Sequence, residues 1–269
     1  MLLNDRRFHY LEWPGQSAQA IVFLHGAGLN AYTWRRVAAD LCGVYKCLAL
    51  DLRGHGDSEW ANDLDYAPRS HAADLAAFIV HAQLERPVLV GMSLGGTVAL
   101  AYVREHATRA LVIVDTGPWI DGKARAQLLD FFRGPAEFDS LDAFVELART
   151  IHPRRDEADL REGVRNNLRQ LPDGTWTWKY DRRPYRHVPD ERRDRERREV
   201  WSGVANVLCP VLVVRGSESA VLSASAAQDM AASFRDGRLV EIAGAGHGVH
   251  SDQPAALSRA ILSFLGEAP

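Results

Sequence analysis

Short, almost wholly apolar runs recur along the chain and alternate with segments in which apolar residues are spaced three and four apart. The runs occupy residues 20–24, 47–50, 88–90, 110–114, 211–214 and 239–242. Runs of this length predict strands buried on both faces, whereas the intervening spacing predicts helices, as at residues 30–42, 70–84 and 254–265. Strands that alternate with helices predict the α/β class, with a mostly parallel central sheet and helices on both faces. Looser alternation before Pro14-Gly15, at residues 6–13, predicts an edge strand.

The alternation is interrupted once, between residues 117 and 206. This stretch carries two helical patterns and a short aromatic strand or turn, at residues 141–151, 157–171 and 175–180. The strand and helix alternation then resumes and continues to the end of the chain. We therefore predict one core domain, made of residues 1–116 and 207–269, with a helical insertion at residues 117–206.

Composition narrows the class of partner. The chain has 269 residues, 46% hydrophobic and 25% charged, which is typical of one large domain or of a domain with an insertion. Its net charge of -3 provides no positive field that would attract nucleic acid. No apolar run approaches the roughly 20 residues of a membrane-spanning helix. We expect a small-molecule partner, and neither nucleic acid nor a membrane.

The cysteines and the amino terminus bear on the cellular compartment of the protein. Cys42, Cys47 and Cys209 lack the spacing of a metal or redox site, and three thiols cannot all pair. Buried, unpaired thiols are typical of a reducing compartment. The first residues also lack the apolar region of a secretion signal. These features predict a cytoplasmic protein.

A G-x-S-x-G motif at residues 91–95 separates one apolar run from a helix of small residues. By itself the motif also fits an ordinary turn before a helix. A strand that turns sharply into a helix crowds its backbone, however, and glycines relieve that crowding. Ser93 then occupies a strained position with its hydroxyl exposed, and the amide of Leu94 at the helix start can stabilise a developing oxyanion. We predict that Ser93 is a nucleophile.

A serine nucleophile needs a base that takes its proton. His247 follows the last apolar run in a glycine-rich turn, at the sheet edge where Ser93 is also expected. His250 competes for this role but lies outside the turn. The other histidines have structural interpretations, either as loop anchors in glycine turns (His25 and His55) or as surface residues of the insertion (His152 and His187).

Four motifs follow the predicted strands in chain order: His25-Gly26-Ala27-Gly28, the run Asp-Leu-Arg-Gly-His-Gly-Asp-Ser at residues 51–58, the turn at Ser93, and Gly244-Ala245-Gly246-His247. With these motifs the chain resembles the α/β-hydrolase superfamily over almost its whole length, and in particular its cap-bearing serine esterases and lactonases. The resemblance implies an α/β-hydrolase fold whose insertion is a cap over the catalytic edge. It implies little about substrate, because the superfamily also contains thioesterases, carbon–carbon bond hydrolases and members without hydrolytic activity.

The resemblance also implies roles for several residues outside the nucleophile and base. The backbone amides of Ala27 and Leu94 are expected to form the oxyanion hole. Asp51 and Asp57 match a turn that supports the loops of the site, which is a structural role. The sequence shows no metal-ligand spacing, dinucleotide-binding motif or P-loop, so no metal and no cofactor are implied.

The acid of the expected catalytic triad departs from the family pattern. Most members carry an Asp three residues beyond a glycine after the penultimate strand, and Ser219 stands there in this chain. A serine cannot supply the charge that stabilises an imidazolium. Asp115, after the strand at 110–114 where some members carry their acid, and Glu218, one residue out of register, are the two substitutes. We favour Asp115; a turn cap for Asp115 and an exposed loop acid for Glu218 are the structural alternatives.

Two features of the insertion bear on substrate. Residues 182–198 hold eight arginines together with four acids, which predicts a solvated helix face with i,i+4 pairs, or alternatively a contact for an anionic substrate. Aromatic residues could line a pocket or form a small core of the insertion: Trp119, Phe131, Phe132, Phe138, Phe144, Trp176, Trp178 and Tyr180. We predict Trp119 and Met92 as pocket walls.

These features together predict a serine hydrolase that cleaves a mostly apolar ester or lactone through an acyl-enzyme. Cleavage of a carbon–carbon or thioester bond by the same residues is one alternative. A ligand-binding protein with negligible turnover is another, favoured by the missing acid and opposed by the presence of Ser93 and His247. A serine at position 93 excludes the mechanism of dehalogenases and epoxide hydrolases, which need an Asp nucleophile there.

Overall fold

The computed structural model describes residues 1–120, 122–151 and 155–267, so His152 lies outside the described residues. The strands are β1 (Leu2–Leu3), β2 (Arg6–Arg7), β3 (Tyr10–Trp13), β4 (Ala20–Leu24), β5 (Lys46–Leu50), β6 (Val88–Met92), β7 (Ala110–Val114), β8 (Glu137–Phe138), β9 (Leu168–Gln170), β10 (Trp176–Trp178), β11 (Val211–Gly216) and β12 (Gly237–Ile242). The helices are α1 (Arg35–Leu41), α2 (Pro68–His81), α3 (Leu94–Val103), α4 (Gly122–Arg133), α5 (Leu141–Ile151), α6 (Glu157–Asn167), α7 (Arg183–His187), α8 (Asp190–Trp201), α9 (Ala224–Ser233), α10 (Val249–Asp252) and α11 (Pro254–Glu267), with short 3-10 helices at Ala31–Trp34 and Val204–Asn206.

Seven strands form the central sheet, in the spatial order β12-β11-β7-β6-β4-β5-β3. Its strands run parallel except β3, which pairs antiparallel with β5 at the edge. The register sets Met92 of β6 beside Val114 of β7. The residues that follow these two strands, Ser93 and Asp115, therefore emerge side by side at one edge of the sheet. The predicted α/β class is confirmed.

Strand β4 illustrates why the apolar runs form the middle of this sheet. Every residue of Ala20–Leu24 is buried. Ile21 and Phe23 pack in a cluster with α1 and α11, whereas Val22 and Leu24 pack on the opposite face with α2 and α3. Because side chains alternate across a strand, a strand covered by helices on both faces is apolar at every position.

The elements differ from the sequence prediction in several places, of which three bear on the sheet edge and the insertion. Residues 168–170 form β9 instead of extending the preceding helix, because they pair antiparallel with β10. Helix α4 has no predicted counterpart, and only Ala124 and Phe132 among its residues are buried. The predicted edge strand at residues 6–13 is divided into β2, which pairs with β1, and β3, which joins the central sheet.

The insertion between β7 and β11 contains α4 to α8 and a three-stranded antiparallel sheet in the order β8-β10-β9. Its buried residues form a cluster of their own: Phe132, Phe144, Val145, Ala148, Leu160, Val164, Leu168, Trp178 and Tyr180. Hydrogen bonds join it to the loop after β5, where the Asp181 N–H donates to the Gly54 carbonyl at 2.7 Å and the Tyr66 hydroxyl donates to the Asp181 carboxylate at 2.5 Å. The insertion is thus attached to the core along this side.

The arginine-rich segment folds into α7 and α8. Arg192 pairs with Glu196 at i,i+4, 2.8 Å apart, as predicted for a solvated helix face. Arg182 and Arg197 differ, because both donate to backbone carbonyls. The partly buried Arg197 donates to Gly117 at 2.6 Å, and the buried Arg182 donates to Phe132, Gly134 and Pro135. The prediction of a solvated face is correct for part of the segment only.

Asp51 organises the loop that follows β5. Its buried carboxylate accepts the N–H of Ala31 at 2.6 Å and the N–H of Asp57 at 2.9 Å, and it lies 2.8 Å from His9 Nδ1. A Cβ at Gly56, where φ is +56°, would lie 2.2 Å from Asp51 Oδ2, so this close approach requires glycine. The structural role predicted for Asp51 is confirmed.

Three buried histidines lie near this loop. His25 Nδ1 is 2.8 Å from the Gly26 carbonyl, and His25 Nε2 accepts the N–H of Leu52 at 3.0 Å. His55 Nδ1 is 3.0 Å from the Arg53 carbonyl. The prediction that His25 and His55 anchor loops is confirmed, and His187 is exposed as predicted. Burial lowers the pKa of His25 and His71 and lowers that of His55 to about 3.

These buried histidines predict that the protein loses stability as pH falls below about 6.5. A histidine whose pKa is lower in the folded than in the unfolded state leaves more protons on the unfolded chain between those two pKa values, so stability falls with pH in that window. Each such histidine contributes a slope of up to about 1.4 kcal/mol per pH unit. Urea unfolding between about pH 7 and pH 5 measures this slope.

The contribution of single histidines can be tested in the same experiment. His71→Phe should give a shallower dependence of the unfolding free energy on pH, because one buried proton acceptor is removed. His187→Gln, at an exposed residue, should keep the wild-type slope. An unchanged slope in His71→Phe would contradict the role of burial at this position.

Two further expectations concern the thiols and the membrane. Cys47 is buried, Cys42 and Cys209 are partly buried, and all three are free cysteines. Burial raises the pKa of the Cys47 thiol to about 12, which leaves it a weak nucleophile.

Among the described residues, none of the helices combines the length and the hydropathy that crossing a bilayer requires.

Candidate active site

Ser93 lies in the sharp turn between β6 and α3, with φ 51° and ψ -112°. The turn depends on neighbouring glycines, since a Cβ at Gly91 would lie 2.3 Å from the Gly95 carbonyl oxygen and a Cβ at Gly95 would lie 2.1 Å from the Leu24 carbonyl oxygen. The Ser93 N–H donates to the Val114 carbonyl at 3.1 Å, which holds the turn against β7. The strained serine position expected from the motif is therefore present.

His247 lies against Asp115. The distance from His247 Nδ1 to Asp115 Oδ2 is 2.8 Å, and the carboxylate is fully buried. Asp115 Oδ1 accepts the N–H of Gly216 at 3.0 Å, and the Asp115 N–H donates to the Val214 carbonyl at 2.7 Å, so β11 positions the acid. A carboxylate at Nδ1 favours the tautomer in which Nδ1 carries the proton and Nε2 is free to accept one.

Ser219, at the position where most family members carry their acid, also contacts Asp115. Its hydroxyl donates to Asp115 Oδ2 at 2.5 Å and accepts the N–H groups of Val221 and Leu222 at 3.1 and 3.3 Å. The sequence pattern identifies Ser219 only as a missing acid. The structure shows that its hydroxyl bonds the same carboxylate oxygen that faces His247.

The two competing candidates occupy other places. His250 is buried with Nε2 2.6 Å from the Thr33 hydroxyl, and its ring packs 5.2 Å from the Trp34 ring. Glu218 lines the same cavity as Ser93 and His247, and its N–H donates to the Ala245 carbonyl at 2.9 Å. The contact of His247 with Asp115 therefore favours Asp115 over Glu218 as the acid and favours His247 over His250 as the base.

The two amides expected to bind an oxyanion belong to the residue after the nucleophile, Leu94, and to Ala27 in the turn after β4. Leu94 begins α3, so its N–H has no acceptor within the helix. Ala27 lies in the turn after β4 and lines the cavity. In the part of the chain that the structure describes, neither N–H donates to another protein group. Unpaired amides of this kind suit a developing negative charge.

A cavity of about 600 Å³ is lined by both Ser93 and His247. Core loops supply one side of it, and the insertion supplies the other. The larger apolar residues of the insertion's lining are Leu128, Phe131, Phe132, Phe144, Leu160, Val164 and Trp178. A cavity of this size, largely apolar with a few polar groups, is typical of small-molecule sites.

One of the two predicted pocket residues is placed correctly. Met92 lines the cavity and is almost fully buried. Trp119 does not line it, and that prediction was wrong: its side chain is 65% exposed, with the Arg198 guanidinium 5.8 Å from its ring. Arg197 holds the carbonyl of the preceding Gly117, and the chain turns outward from there. Of the other aromatics, Phe132, Phe144 and Trp178 serve both as core of the insertion and as cavity wall.

Some cavity residues have no sequence signal that distinguishes them. Thr33, Arg155 and Asn167 line the cavity although no motif contains them. Helical spacing within the insertion carries part of the information, because Leu160, Gly163, Val164 and Asn167 form one face of α6. Which face of α6 meets the nucleophile depends on how the insertion packs against the core.

A metal ion needs a cluster of side-chain ligands. Within residues 1–120, 122–151 and 155–267, one group has ligand atoms within 4.8 Å of one another, namely His9, Asp51 and Asp57. The sequence spacing does not reveal it, because the fold brings β3 to β5. Asp51 already accepts two backbone N–H groups and faces His9, and Lys179 Nζ lies 2.9 Å from Asp57 Oδ2. The three candidate ligands are therefore already engaged in contacts with other protein groups.

A family model described as the alpha/beta hydrolase family matches residues 21–260, which include Ser93, Asp115 and His247. Esterase Rv0045c of Mycobacterium tuberculosis is 34% identical over 267 residues, covering 95% of this chain and 85% of that protein. The 3-hydroxybutyrate-oligomer hydrolase of Cupriavidus necator is 26% identical, covering 97% of this chain and 93% of that protein.

Solved structures agree with this fold. E-2-(acetamidomethylene)succinate hydrolase has a TM-score of 0.86 at 24% identity, covering 98% of this chain and 96% of that chain, a likeness of fold alone. A crystal structure of the Mycobacterium tuberculosis esterase Rv0045c has a TM-score of 0.79 at 30% identity, covering 97% of this chain and 90% of that chain.

Proposed function

Because the chain belongs to the α/β-hydrolase family, we propose that it is a serine hydrolase that cleaves a carboxylic ester or lactone through an acyl-enzyme. One observation carries the proposal: His247 Nδ1 lies 2.8 Å from the buried Asp115 carboxylate, at a cavity that Ser93 also lines. A histidine oriented by a buried carboxylate can accept a serine proton. The esterase activity named for the 34% identical relative supports the same reaction class.

In the proposed reaction, Ser93 Oγ attacks the ester carbonyl while His247 Nε2 takes the hydroxyl proton. Asp115 keeps the proton on Nδ1 and stabilises the imidazolium that forms. The tetrahedral intermediate then expels the alcohol, which takes the proton from His247, and the acyl group remains on Ser93. A water molecule deprotonated by His247 attacks this acyl-enzyme and releases the acid.

The oxyanion of each tetrahedral intermediate would be bound by the N–H groups of Ala27 and Leu94. The start of α3 adds the positive end of its helix dipole at this point. Loss of one such donor typically costs about 10²- to 10³-fold in kcat. Both contributions come from the backbone, so we assign no catalytic role to the two side chains.

The substrate class follows from the walls of the cavity. We assign the insertion at residues 117–206 the role of a cap, because its apolar residues line the side of the cavity opposite the core loops. The lining supports an ester or lactone of small to medium size that is mostly apolar. The reaction needs only side chains and backbone amides, and the net charge of -3 and the free cysteines support a cytoplasmic protein with a small-molecule substrate.

Labelling with a fluorophosphonate probe tests the proposal directly. We expect rapid labelling at Ser93 alone, read by intact mass and peptide mapping, because only a serine activated by a base reacts quickly with this electrophile. Ser93→Ala should abolish the labelling. Labelled protein should lose hydrolysis of short-chain esters in proportion to the labelled fraction.

Replacing a second serine near the site, Ser219, provides a control for the labelling experiment. Ser219 is buried near the site and bonds Asp115, so Ser219→Ala should still be labelled at Ser93. Absence of labelling in folded wild-type protein would contradict an activated nucleophile and favour ligand binding without turnover. Faster turnover of thioesters or carbon–carbon substrates than of esters would keep the catalytic residues and change the bond that is cleaved.

A further inference from the structure

Arg155 is a charged residue in the wall of the cavity. It precedes α6 and lines the cavity together with Leu160 and Val164, which belong to the face of α6 described above. Its guanidinium lies over Gly163, where an added Cβ would be 3.5 Å from both Nη1 and Nη2. The guanidinium is thus held along α6 at the cavity wall.

The hydrogen-bonding capacity of this arginine is not used by the described residues. Its Nε is buried without a hydrogen-bond partner, and no hydrogen bond or ion pair of Arg155 occurs among the described residues. Burial lowers the pKa of the guanidinium, and the carboxylates of Asp252 and Asp159 oppose this effect. A buried donor without a partner, such as this Nε, is costly because it has lost water and gained no acceptor.

The two acids whose charges act on Arg155 also have other partners, and one of them, Asp252, lines the same cavity. Asp159 lies 2.5 Å from Arg36 Nη1 and 3.4 Å from Arg35 Nη2. Asp252 Oδ2 accepts the N–H of Gly246 at 2.9 Å, in the loop that carries His247. Among the described residues that line the cavity, Arg155 is the only arginine or lysine. A single guanidinium matches one planar monoanion, which a carboxylate provides with bidentate geometry.

We propose that Arg155 binds a carboxylate of the substrate, so that the preferred substrates are esters with one free carboxylate at the far end of an apolar chain. The inference rests on the proposed esterase function and narrows its substrate class. The apolar residues of α6 and of the aromatic cluster contact the chain of the substrate, and Ser93 attacks its ester group. Arg155 is a specificity residue and takes no part in bond cleavage.

A pair of esters that differ only in charge tests this inference. Monomethyl suberate carries one carboxylate, whereas dimethyl suberate is neutral and has the same chain. We expect wild-type kcat/KM, measured by methanol release, to be about tenfold higher for the monoester. Arg155→Gln should lower kcat/KM for the monoester about 30-fold and change it less than about threefold for the diester.

Two further variants separate charge from structure. Arg165→Gln removes an exposed arginine of α6 and should leave both values unchanged. Arg155→Lys keeps the charge without the planar fork and should retain part of the preference. If Arg155→Gln does not fold, the wild-type preference and the Arg155→Lys variant still decide the question.

The outcomes distinguish this inference from the proposed function. Hydrolysis of the diester with no preference for the monoester would overturn the carboxylate site and keep the esterase. If neither ester is hydrolysed, calorimetric titration of the Ser93→Ala protein decides: tighter binding of the monoester, weakened by Arg155→Gln, supports the site, and equal binding of both esters overturns it.

Discussion

Replacing Asp115 with asparagine is expected to lower kcat about 10⁴-fold. Asparagine keeps the size of the side chain, but its amide cannot hold a proton on His247 Nδ1 or balance the charge of an imidazolium. The effect should fall on kcat with a saturating short-chain ester, while the melting temperature reports whether the fold is kept. The buried Asp115 carboxylate lies 2.8 Å from His247 Nδ1, which makes this the most sensitive position after the nucleophile and base.

Glu218→Gln provides the contrasting variant for this measurement. Glu218 lines the cavity, but Asp115 is the carboxylate that lies against His247. We expect kcat of Glu218→Gln to stay within about threefold of wild type, since a side chain that does not orient the base contributes little to the transition state. A fall in Glu218→Gln equal to that in Asp115→Asn would transfer the role of the acid to Glu218.

A second-site change provides a stronger test of the relocated acid. The Ser219 hydroxyl lies 2.5 Å from the Asp115 oxygen that faces His247, so a carboxylate at position 219 would reach the same ring. We expect Asp115→Asn/Ser219→Asp to recover about tenfold to 100-fold of the activity that Asp115→Asn loses, through electrostatic stabilisation of the imidazolium. Activity no higher than that of Asp115→Asn alone would mean that the loop after β11 holds residue 219 in the wrong orientation.

The second large effect concerns stability. Arg53→Met is expected to lower the free energy of unfolding by about 3–5 kcal/mol, because it leaves the carboxylate of Asp74 buried and uncompensated. Arg53 donates to both Asp74 oxygens at 2.5 and 2.8 Å, and also to the carbonyls of Asp65 and Ser70 at 2.9 and 3.0 Å. Both side chains are almost fully buried, at 5% and 2% exposure. Urea unfolding of wild type and variant gives the difference.

Two comparisons separate loss of the ion pair from loss of an arginine. Arg7→Met removes an exposed arginine that lies 3.7 Å from Glu59 and should change stability by no more than about 0.5 kcal/mol. The double variant Arg53→Met/Asp74→Leu should be more stable than Arg53→Met alone, because it removes the uncompensated charge. A double variant less stable than the single one would show that Asp74 has a second essential contact.

Much of the core could be predicted from sequence because its signals are local. The strands at Ala20–Leu24 and Ala110–Val114 coincide with their apolar runs, since a strand covered on both faces has no polar position. The turn at Ser93 is likewise predicted by the glycines that its backbone requires. The insertion was predicted less well, because segments such as α4 and β9 depend on neighbours that are distant in sequence.

The sequence by itself determined the α/β class, the place of the insertion, and the candidate nucleophile and base, because strand burial and a strained glycine turn leave local patterns. Only the tertiary structure decided which acid lies against His247, since the choice between Asp115 and Glu218 depends on the register of β7 against β11. The exposure of Trp119 and the position of Arg155 in the cavity were decided in the same way. Side-chain direction within an insertion follows from its packing against the core, and no local pattern encodes that packing.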